Sequence, residues 1–199
     1  MAYTIENSFI RVEPQQYIGN VLVREAVIFG NNRQKVKPAE LQTLWRKEKR
    51  ESSKLLGERR AEALMLANAQ AESGFYPFIF RYERGQHTLN PNWRNFSVFD
   101  ATSGGLFQLM GFNWKKYGVT NWDQISSVEK QLTAYDKFVS EIIERFAIPA
   151  ESVPGAHKDL IYRTIAGYGK SSISGAASQN TLSEIKYKAY KKIESGEFP

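Results

Sequence analysis

Apolar residues in the second half of the chain recur every three or four positions, which is the spacing of one face of a helix. Ser126 and Glu129 form a capping box, the signature of a helix start, beside the clearest of these stripes. The stripe consists of Val128, Leu132, Tyr135, Val139, Ile142, Ile143 and Phe146. A second capping box, Thr181 with Glu184, predicts a last helix that ends at Gly196. Its expected buried face consists of Leu182, Ile185, Ala189 and Ile193.

The first half of the chain predicts one long helical stretch. Pro38 suits a first helical turn, and helix is expected over residues 39–73, with a break near Ser52 or at Gly57. The second half of this stretch, residues 61–71, is rich in Ala and Leu and is expected to be buried.

Turn-forming residues then interrupt the helical pattern. Residues 75–104 are expected to form a long loop with short strands around residues 78–82. A short helix is expected over residues 108–117. We therefore predict a mainly α protein: a helical domain over residues 38–199 with a short or irregular β element near this loop, preceded by an N-terminal extension over residues 1–37.

The residues that are absent from the chain narrow its chemistry. It has no cysteine among 199 residues, which excludes a disulfide scaffold, a cysteine-ligated zinc and a thiol nucleophile. Its two histidines, His87 and His157, argue against a Ser-His-Asp triad and against a multi-histidine metal site. The sequence therefore implies no metal and no cofactor.

Net charge and the N-terminus bear on partners and location. The formal charge of +6 favours a polyanion: nucleic acid, an anionic membrane surface or an anionic cell-wall polymer. No apolar run approaches the roughly 18–20 residues that cross a bilayer. The N-terminus also lacks the basic flank and apolar stretch of a signal peptide. We expect synthesis in the cytoplasm, with any extracellular target reached by another route.

The apolar helix ends on an acid, Glu72. The helix macrodipole disfavours a negative charge at this end, and partial burial at the wall of a cleft would also favour the protonated form. A carboxyl that stays protonated near neutral pH can protonate a glycosidic oxygen. The alternative is a solvated acid in a fraying last turn.

A glycine-rich element, residues 103–110, contains Gln108 among apolar neighbours. A buried amide needs a hydrogen-bond partner, which a sugar hydroxyl or acetamido group would supply; the alternative is that Gln108 caps its own helix. Aromatic rings, which stack on sugars, crowd the segment before this element, although a half-buried loop would explain them equally well. They are Phe75, Tyr76, Phe78, Phe80, Tyr82, Trp93, Phe96 and Phe99.

Three short motifs occur in order between residues 60 and 170. They read Glu72-Ser73-Gly74-Phe75-x-Pro77, Gly105-Leu106-Phe107-Gln108-Leu109-Met110 and Ala166-x-Tyr168. Together they resemble the signature of soluble-type lytic transglycosylases of the lysozyme-like superfamily, whose fold goose-type lysozymes share. The family pattern has Ser-x-x-Gly-Ala-x-Gly before the second motif and Asn-Ala-Gly after the tyrosine; this chain departs from it at both places.

The resemblance implies an enzyme that cleaves the β-1,4 bond between N-acetylmuramic acid and N-acetylglucosamine in peptidoglycan. Glu72 would be the general acid/base, and Ser73, Gln108, Met110 and Tyr168 would line the glycan groove. A transglycosylase needs one such acid, whereas a muramidase-type hydrolase needs a second carboxylate, for which Asp100 and Glu83 are the candidates. Alternatively, Glu83 pairs with a neighbouring arginine, and Asp100 shapes a turn.

The missing signal peptide and the basic charge fit a bacteriophage lysin or virion component, in which residues 1–37 would dock to a tail or virion protein; a secreted bacterial effector fits too. One rival is a non-catalytic virion or cell-wall-binding protein on the same fold. Another is a helical nucleic-acid binder that uses residues 46–60, but no recognised motif supports it, and we do not expect nucleic acid as a partner.

Overall fold

The computed structural model describes residues 9–11, 16–18, 21–29, 34–121, 124–125, 127–145, 161, 164–165 and 181–197. Within these ranges the chain is mainly helical with a small antiparallel sheet, which confirms the predicted fold class. None of the described helices combines the length and the apolar character required to cross a bilayer.

Seven helices are delimited in the described part of the chain. They are α1 (Pro38–Arg46), α2 (Glu51–Leu56), α3 (Glu58–Ser73), α4 (Arg84–Leu89), α5 (Gly111–Lys116), α6 (Val128–Arg145) and α7 (Thr181–Ser195). The predicted helix over residues 39–73 is therefore three helices. It breaks at Gly57, as expected, and also at residues 47–50.

Six strands of the described residues form the sheet. They are β1 (Phe9–Arg11), β2 (Gln16–Ile18), β3 (Val21–Phe29), β4 (Ile79–Tyr82), β5 (Thr102–Gly104) and β6 (Leu109–Met110). The strand order is β1-β3-β4-β5-β6, every pairing is antiparallel, and β2 also pairs with β3. The register places Phe80 opposite Val27 on one side and Gly104 on the other.

The chain divides into two compact units. The first comprises residues 1–36 and 72–134 and contains the sheet; the second comprises residues 37–71 and 135–199. The sequence predicts an N-terminal extension over residues 1–37. In the structure, β3 of this segment pairs with β4 and is therefore part of the sheet. A docking role for the segment stays a prediction.

A buried carboxylate fixes the start of α2 within the second unit. Asp136 of α6 accepts hydrogen bonds from the backbone N–H groups of Glu51 at 2.8 Å and Ser52 at 3.0 Å, and from the Ser52 hydroxyl at 2.5 Å. The first N–H groups of a helix lack intrahelical partners, so Asp136 caps α2 from a distant part of the sequence.

Helix α6 buries the predicted stripe, apart from Phe146, which lies outside the described residues. Its cap, however, is one residue later than predicted. The hydroxyl of Ser127 accepts a hydrogen bond from the backbone N–H of Lys130 at 3.3 Å. Ser126 lies outside the described residues. The glutamate three residues after Ser126 favoured that serine, whereas Ser127 caps the helix without a glutamate at the corresponding position.

The predicted buried face of α7 is wrong at Ile185; Ala189 and Ile193 are half-buried, and the Leu182 side chain lies outside the described part of the structure. Ile185 is 52% exposed, while Lys186 and Tyr190 are buried at 2% exposure each. Tyr190 carries the largest apolar surface of these residues, and it hydrogen-bonds Glu194 on the next turn. Burying that ring outweighs burying an isoleucine, so the helix presents a different face to the core.

Candidate active site

The predicted acid lies at the end of a buried helix. Residues 63–69 of α3 are all buried, as their Ala- and Leu-rich sequence predicts. Glu72 follows as the next-to-last residue of α3, and its side chain is half-buried. Ser73, the last helical residue, is 5% exposed. The end of the helix is therefore where the sequence predicted it, and the catalytic role of Glu72 stays a prediction.

Two consecutive residues after α3 have left-handed backbone conformations. Gly74 has a φ of 61° and Phe75 a φ of 68°. Glycine adopts this conformation freely, whereas it costs a bulky residue on the order of 1–3 kcal/mol. The Phe75 carbonyl accepts a hydrogen bond from the Val36 N–H at 3.0 Å, and the Phe75 ring is 8% exposed. Burial of the ring and this hydrogen bond offset the strain and fix the chain that leaves Glu72.

The sheet joins the first motif segment to the second. Strand β4 starts shortly after Phe75 and pairs with β5, which turns through residues 105–108 into β6. The Gly105 N–H donates to the Ile79 carbonyl at 2.9 Å. Gly105 has a φ of 79°, and a Cβ there would lie 2.6 Å from Gln131 Oε1. Glycine is thus required at position 105 for its conformation and for its close packing.

Gln108 lies in this turn and not at the start of a helix as predicted, because α5 begins only at Gly111. Its Nε2 donates to the carbonyls of Ile79 at 2.9 Å and Gly105 at 2.8 Å, and its Oε1 accepts from the Ser103 hydroxyl at 3.3 Å. Both amide N–H groups therefore have protein partners. The inference that Gln108 needs a sugar partner is wrong, and its place in a glycan groove stays a prediction without that support.

Gln131 of α6 hydrogen-bonds both the first motif segment, at Pro77, and the second, at Leu106. It was not among the site residues predicted from the sequence. It is fully buried, and its Oε1 accepts from the Leu106 N–H at 2.7 Å. Its Nε2 donates to the carbonyls of Pro77 at 2.9 Å and Ile125 at 2.8 Å. The sequence feature that indicates it is a polar residue three positions after Val128, next to the apolar stripe of α6. A polar side chain at such a position is expected to be buried and to need hydrogen-bond partners.

The second carboxylate candidate, Asp100, is engaged with neighbouring side chains. Its carboxylate accepts hydrogen bonds from the Ser97 N–H at 3.0 Å and the Ser97 hydroxyl at 2.7 Å. Lys115 Nζ lies 2.6 Å from Oδ1. Burial alone would raise the pKa of Asp100, but the hydrogen bonds from Lys115 and Ser97 outweigh it and hold the pKa below its usual range. These contacts support the turn-forming interpretation of Asp100.

Glu83 precedes α4. Its N–H donates to the Ala101 carbonyl at 2.9 Å, and its own carbonyl accepts from the His87 N–H at 3.0 Å. His87 lies on α4 and not in a loop as predicted, and its Nδ1 is 2.9 Å from the Tyr82 hydroxyl. The Arg84 side chain lies outside the described part of the structure, so pairing of Glu83 with its neighbouring arginines stays a prediction.

Met110 and Tyr168 are the remaining residues that were predicted to line the glycan groove. Met110 ends β6, directly before α5, and is half-buried. Tyr168 lies outside the described residues. Among those that are described, no group of three or more His, Asp or Glu side chains could hold a metal ion.

Comparisons with protein-family models, curated proteins and solved structures gave no match to this chain. Its function is therefore inferred from the chain's own residues and their geometry.

The aromatic rings of the first motif and of the segment between the two motifs form three groups. Phe75, Phe78 and Phe80 are at most 8% exposed and belong to the core, so the expectation that they stack on sugars is wrong. Trp93 and Phe96 are only half-buried, and their ring centroids lie 5.5 Å apart. The remaining rings are half-buried beside polar side chains: Tyr76 by Lys35, Tyr82 by His87 and Phe99 by Lys115.

Proposed function

We propose that this chain is a lytic transglycosylase that cleaves peptidoglycan glycan strands, with Glu72 as its general acid/base. One observation carries the proposal. A half-buried acid ends α3, and the fixed turn after it leads directly into a sheet that contains the glycine-rich second motif. A rigid sheet is the kind of scaffold that holds a catalytic group and substrate contacts in register.

The proposed reaction needs only one acid. The Glu72 carboxyl donates its proton to the glycosidic oxygen as the bond from that oxygen to the anomeric carbon of N-acetylmuramic acid breaks. The resulting carboxylate then accepts the proton of the sugar's own 6-hydroxyl, whose oxygen attacks the anomeric carbon. An anhydro sugar forms, no water is consumed, and Glu72 regains its proton.

The surroundings of Asp100 favour the single-acid mechanism over hydrolysis through that residue. Its carboxylate is hydrogen-bonded by Ser97 and paired with Lys115. A carboxylate whose pKa is lowered and whose oxygens already accept hydrogen bonds is a weak base. A hydrolase that combines Glu72 with Glu83 is the alternative proposal.

Analysis of the products tests the mechanism. Purified protein is incubated with purified sacculi, and the released muropeptides are analysed by mass spectrometry. Anhydro products, one water lighter than hydrated ones, support the transglycosylase. Purely hydrated products contradict it, and loss of these products in Glu83→Gln would support the hydrolase.

Substitution of the acid tests the assignment of Glu72. Glu72→Gln should strongly reduce release, whereas Glu58→Gln, which removes an exposed carboxylate from the first turn of the same helix, should not. Unchanged release by Glu72→Gln contradicts the assignment. Wild-type protein that binds sacculi without releasing products would instead favour the non-catalytic binding protein.

The proposed place of action is the cell wall. Residues 1–37 remain the proposed docking segment for a tail or virion partner.

A further inference from the structure

A group of apolar residues in the first unit, in the segment before β5 and on α5, consists of three aromatic rings in mutual contact and two exposed aliphatic residues that flank Trp93 and Phe96 in the sequence. We name it the apolar patch and define it as Leu89, Trp93, Phe96, Val98 and Phe112. Leu89 is 63% exposed, Val98 58% and Phe112 37%. Most of the large apolar side chains that are exposed in the described part of the chain therefore belong to this patch. Clustered exposure of this kind marks an interaction surface.

Ring contacts hold the centre of the patch together. Phe96 lies 5.5 Å from Trp93 with an interplanar angle of 29°, and 5.5 Å from Phe112. Trp93 also meets Phe112 edge-on at 6.1 Å. The rings thus cover part of one another, while the aliphatic side chains of Leu89 and Val98 remain exposed on either side of them along the chain.

Three basic residues neighbour the patch, one in the sequence and two on α5. Arg94 is exposed next to Trp93, and Lys115 and Lys116 follow Phe112 by three and four residues, which places them on the same face of α5. Residues 84–121 contain one acidic residue, Asp100, and that carboxylate is paired with Lys115. The border of the patch therefore carries an excess of positive charge.

We infer that the apolar patch docks onto an anionic lipid surface, independently of the proposed catalytic role of Glu72. Exposed Trp, Phe and Leu side chains enter the boundary between headgroups and acyl chains, and adjacent lysines and arginines contact anionic headgroups. The observations favour lipid over glycan. Sugar binding uses open ring faces, but the Trp93 and Phe96 faces are stacked together, and aliphatic side chains such as Leu89 and Val98 gain from contact with acyl chains.

Vesicle flotation tests this inference with the full chain. The probes are phosphatidylcholine vesicles with and without phosphatidylglycerol. Wild-type protein should bind the vesicles that contain phosphatidylglycerol, and added salt should weaken binding. Leu89→Ser combined with Val98→Ser should weaken it about tenfold, because two aliphatic contacts with lipid are lost. Both side chains are exposed, so the fold should be retained, and circular dichroism checks this.

The matched control is Ile185→Ser, which removes an exposed aliphatic side chain from α7. It should leave vesicle binding unchanged. A position-specific readout is quenching of tryptophan fluorescence by brominated lipid, measured in a Trp122→Phe background because Trp122 lies outside the described residues. Quenching should fall when Trp93→Phe is added, because Trp45 and Trp114 are buried.

Several results would overturn the inference. Absence of wild-type binding to anionic vesicles would do so, as would equal binding by the double variant. Loss of binding in Ile185→Ser would assign the contact to α7. If the double variant bound vesicles normally but lost affinity for sacculi, the patch would be a glycan platform. A change from dimer to monomer in the double variant, without any vesicle binding, would make it a self-association surface.

Discussion

Glu72 and Asp100 are two carboxylates of the same unit in opposite settings. Glu72 ends a buried helix, and a strained turn follows it. Asp100 lies in a turn where Ser97 and Lys115 stabilise its ionised form. The sequence made both of them candidates for catalysis. The comparison teaches that the donors around Asp100 give it a structural task, whereas the place of Glu72 at the end of a helix is what suits it to the proposed role of proton donor.

The largest expected difference between substitutions of Glu72 and of Asp100 is in the rate of muropeptide release. Glu72→Gln should lower the rate of muropeptide release by roughly a hundredfold to ten-thousandfold, because proton donation to the leaving oxygen is lost. Asp100→Asn should change the rate per folded molecule only slightly. Turbidity of a sacculus suspension measures both rates. A larger loss in Asp100→Asn than in Glu72→Gln would reverse the comparison and favour a second catalytic carboxylate.

The next largest effect is expected from crowding the turn that holds Asp100. A Cβ at Gly111 would lie 1.7 Å from the Phe99 carbonyl oxygen and 2.8 Å from the Asp100 Cα. Gly111→Ala must therefore displace backbone, and it should lower the free energy of unfolding by about 3 kcal/mol or more. Urea denaturation measures the loss.

The control for Gly111→Ala is Gly118→Ala. Gly118 has a φ of 82°, but a Cβ added there would have no atom within 4 Å, so only the backbone penalty of about 1–2 kcal/mol is expected. Equal losses in the two variants would show that packing against the Asp100 turn contributes little.

Removing the Asp100 charge should have an intermediate effect. Asp100→Asn should lower the free energy of unfolding at neutral pH by about 2 kcal/mol, because hydrogen bonds to a charged group are lost. The pKa of Asp100 is lower in the folded than in the unfolded state. Its contribution is therefore complete above the unfolded value near pH 4 and is lost as the pH falls through the folded value.

The wild type and Asp100→Asn should thus differ in stability at pH 7 and converge in strong acid. Urea midpoints measured from pH 7 downwards test this pattern. A constant difference across the whole range would mean that the charge of Asp100 contributes nothing to stability.

The smallest effect on the free energy of unfolding is expected from substitution of Lys115, which pairs with Asp100. The Lys115 side chain is 42% exposed, and Ser97 still donates to the carboxylate when Lys115 is removed. Lys115→Met should therefore cost about 1 kcal/mol or less. Lys116→Met is the control on the same helix. A loss in Lys115→Met that exceeds the loss in Asp100→Asn would assign Lys115 a further partner.

Features that depend on neighbouring residues were predictable from the sequence. The stripe on α6, the start of α1 at Pro38 and the close of α3 at Gly74 each follow from local spacing or from one residue's backbone preference. The position of Glu72 at the end of a helix belongs to this class.

Features that depend on distant residues were not predictable. The hydrogen bonds of Gln108 to Ile79, the pairing of Asp100 with Lys115 and the three bonds of Gln131 all join segments that only the folded chain brings together. Gln108 illustrates the point best, because the sequence shows its polar side chain among apolar neighbours but not that the Ile79 carbonyl lies within hydrogen-bonding distance.

The pairing of β3 with β4 determines how the protein should respond to N-terminal truncation. β4 is an interior strand, bonded to β3 on one side and to β5 on the other. Removing the first thirty-three residues would expose a row of backbone donors and acceptors along β4, and bare sheet edges recruit other chains into aggregates. Helices α1, α2 and α3 lie between β3 and β4 in the chain, so these two strands can pair only after all three helices have been synthesised.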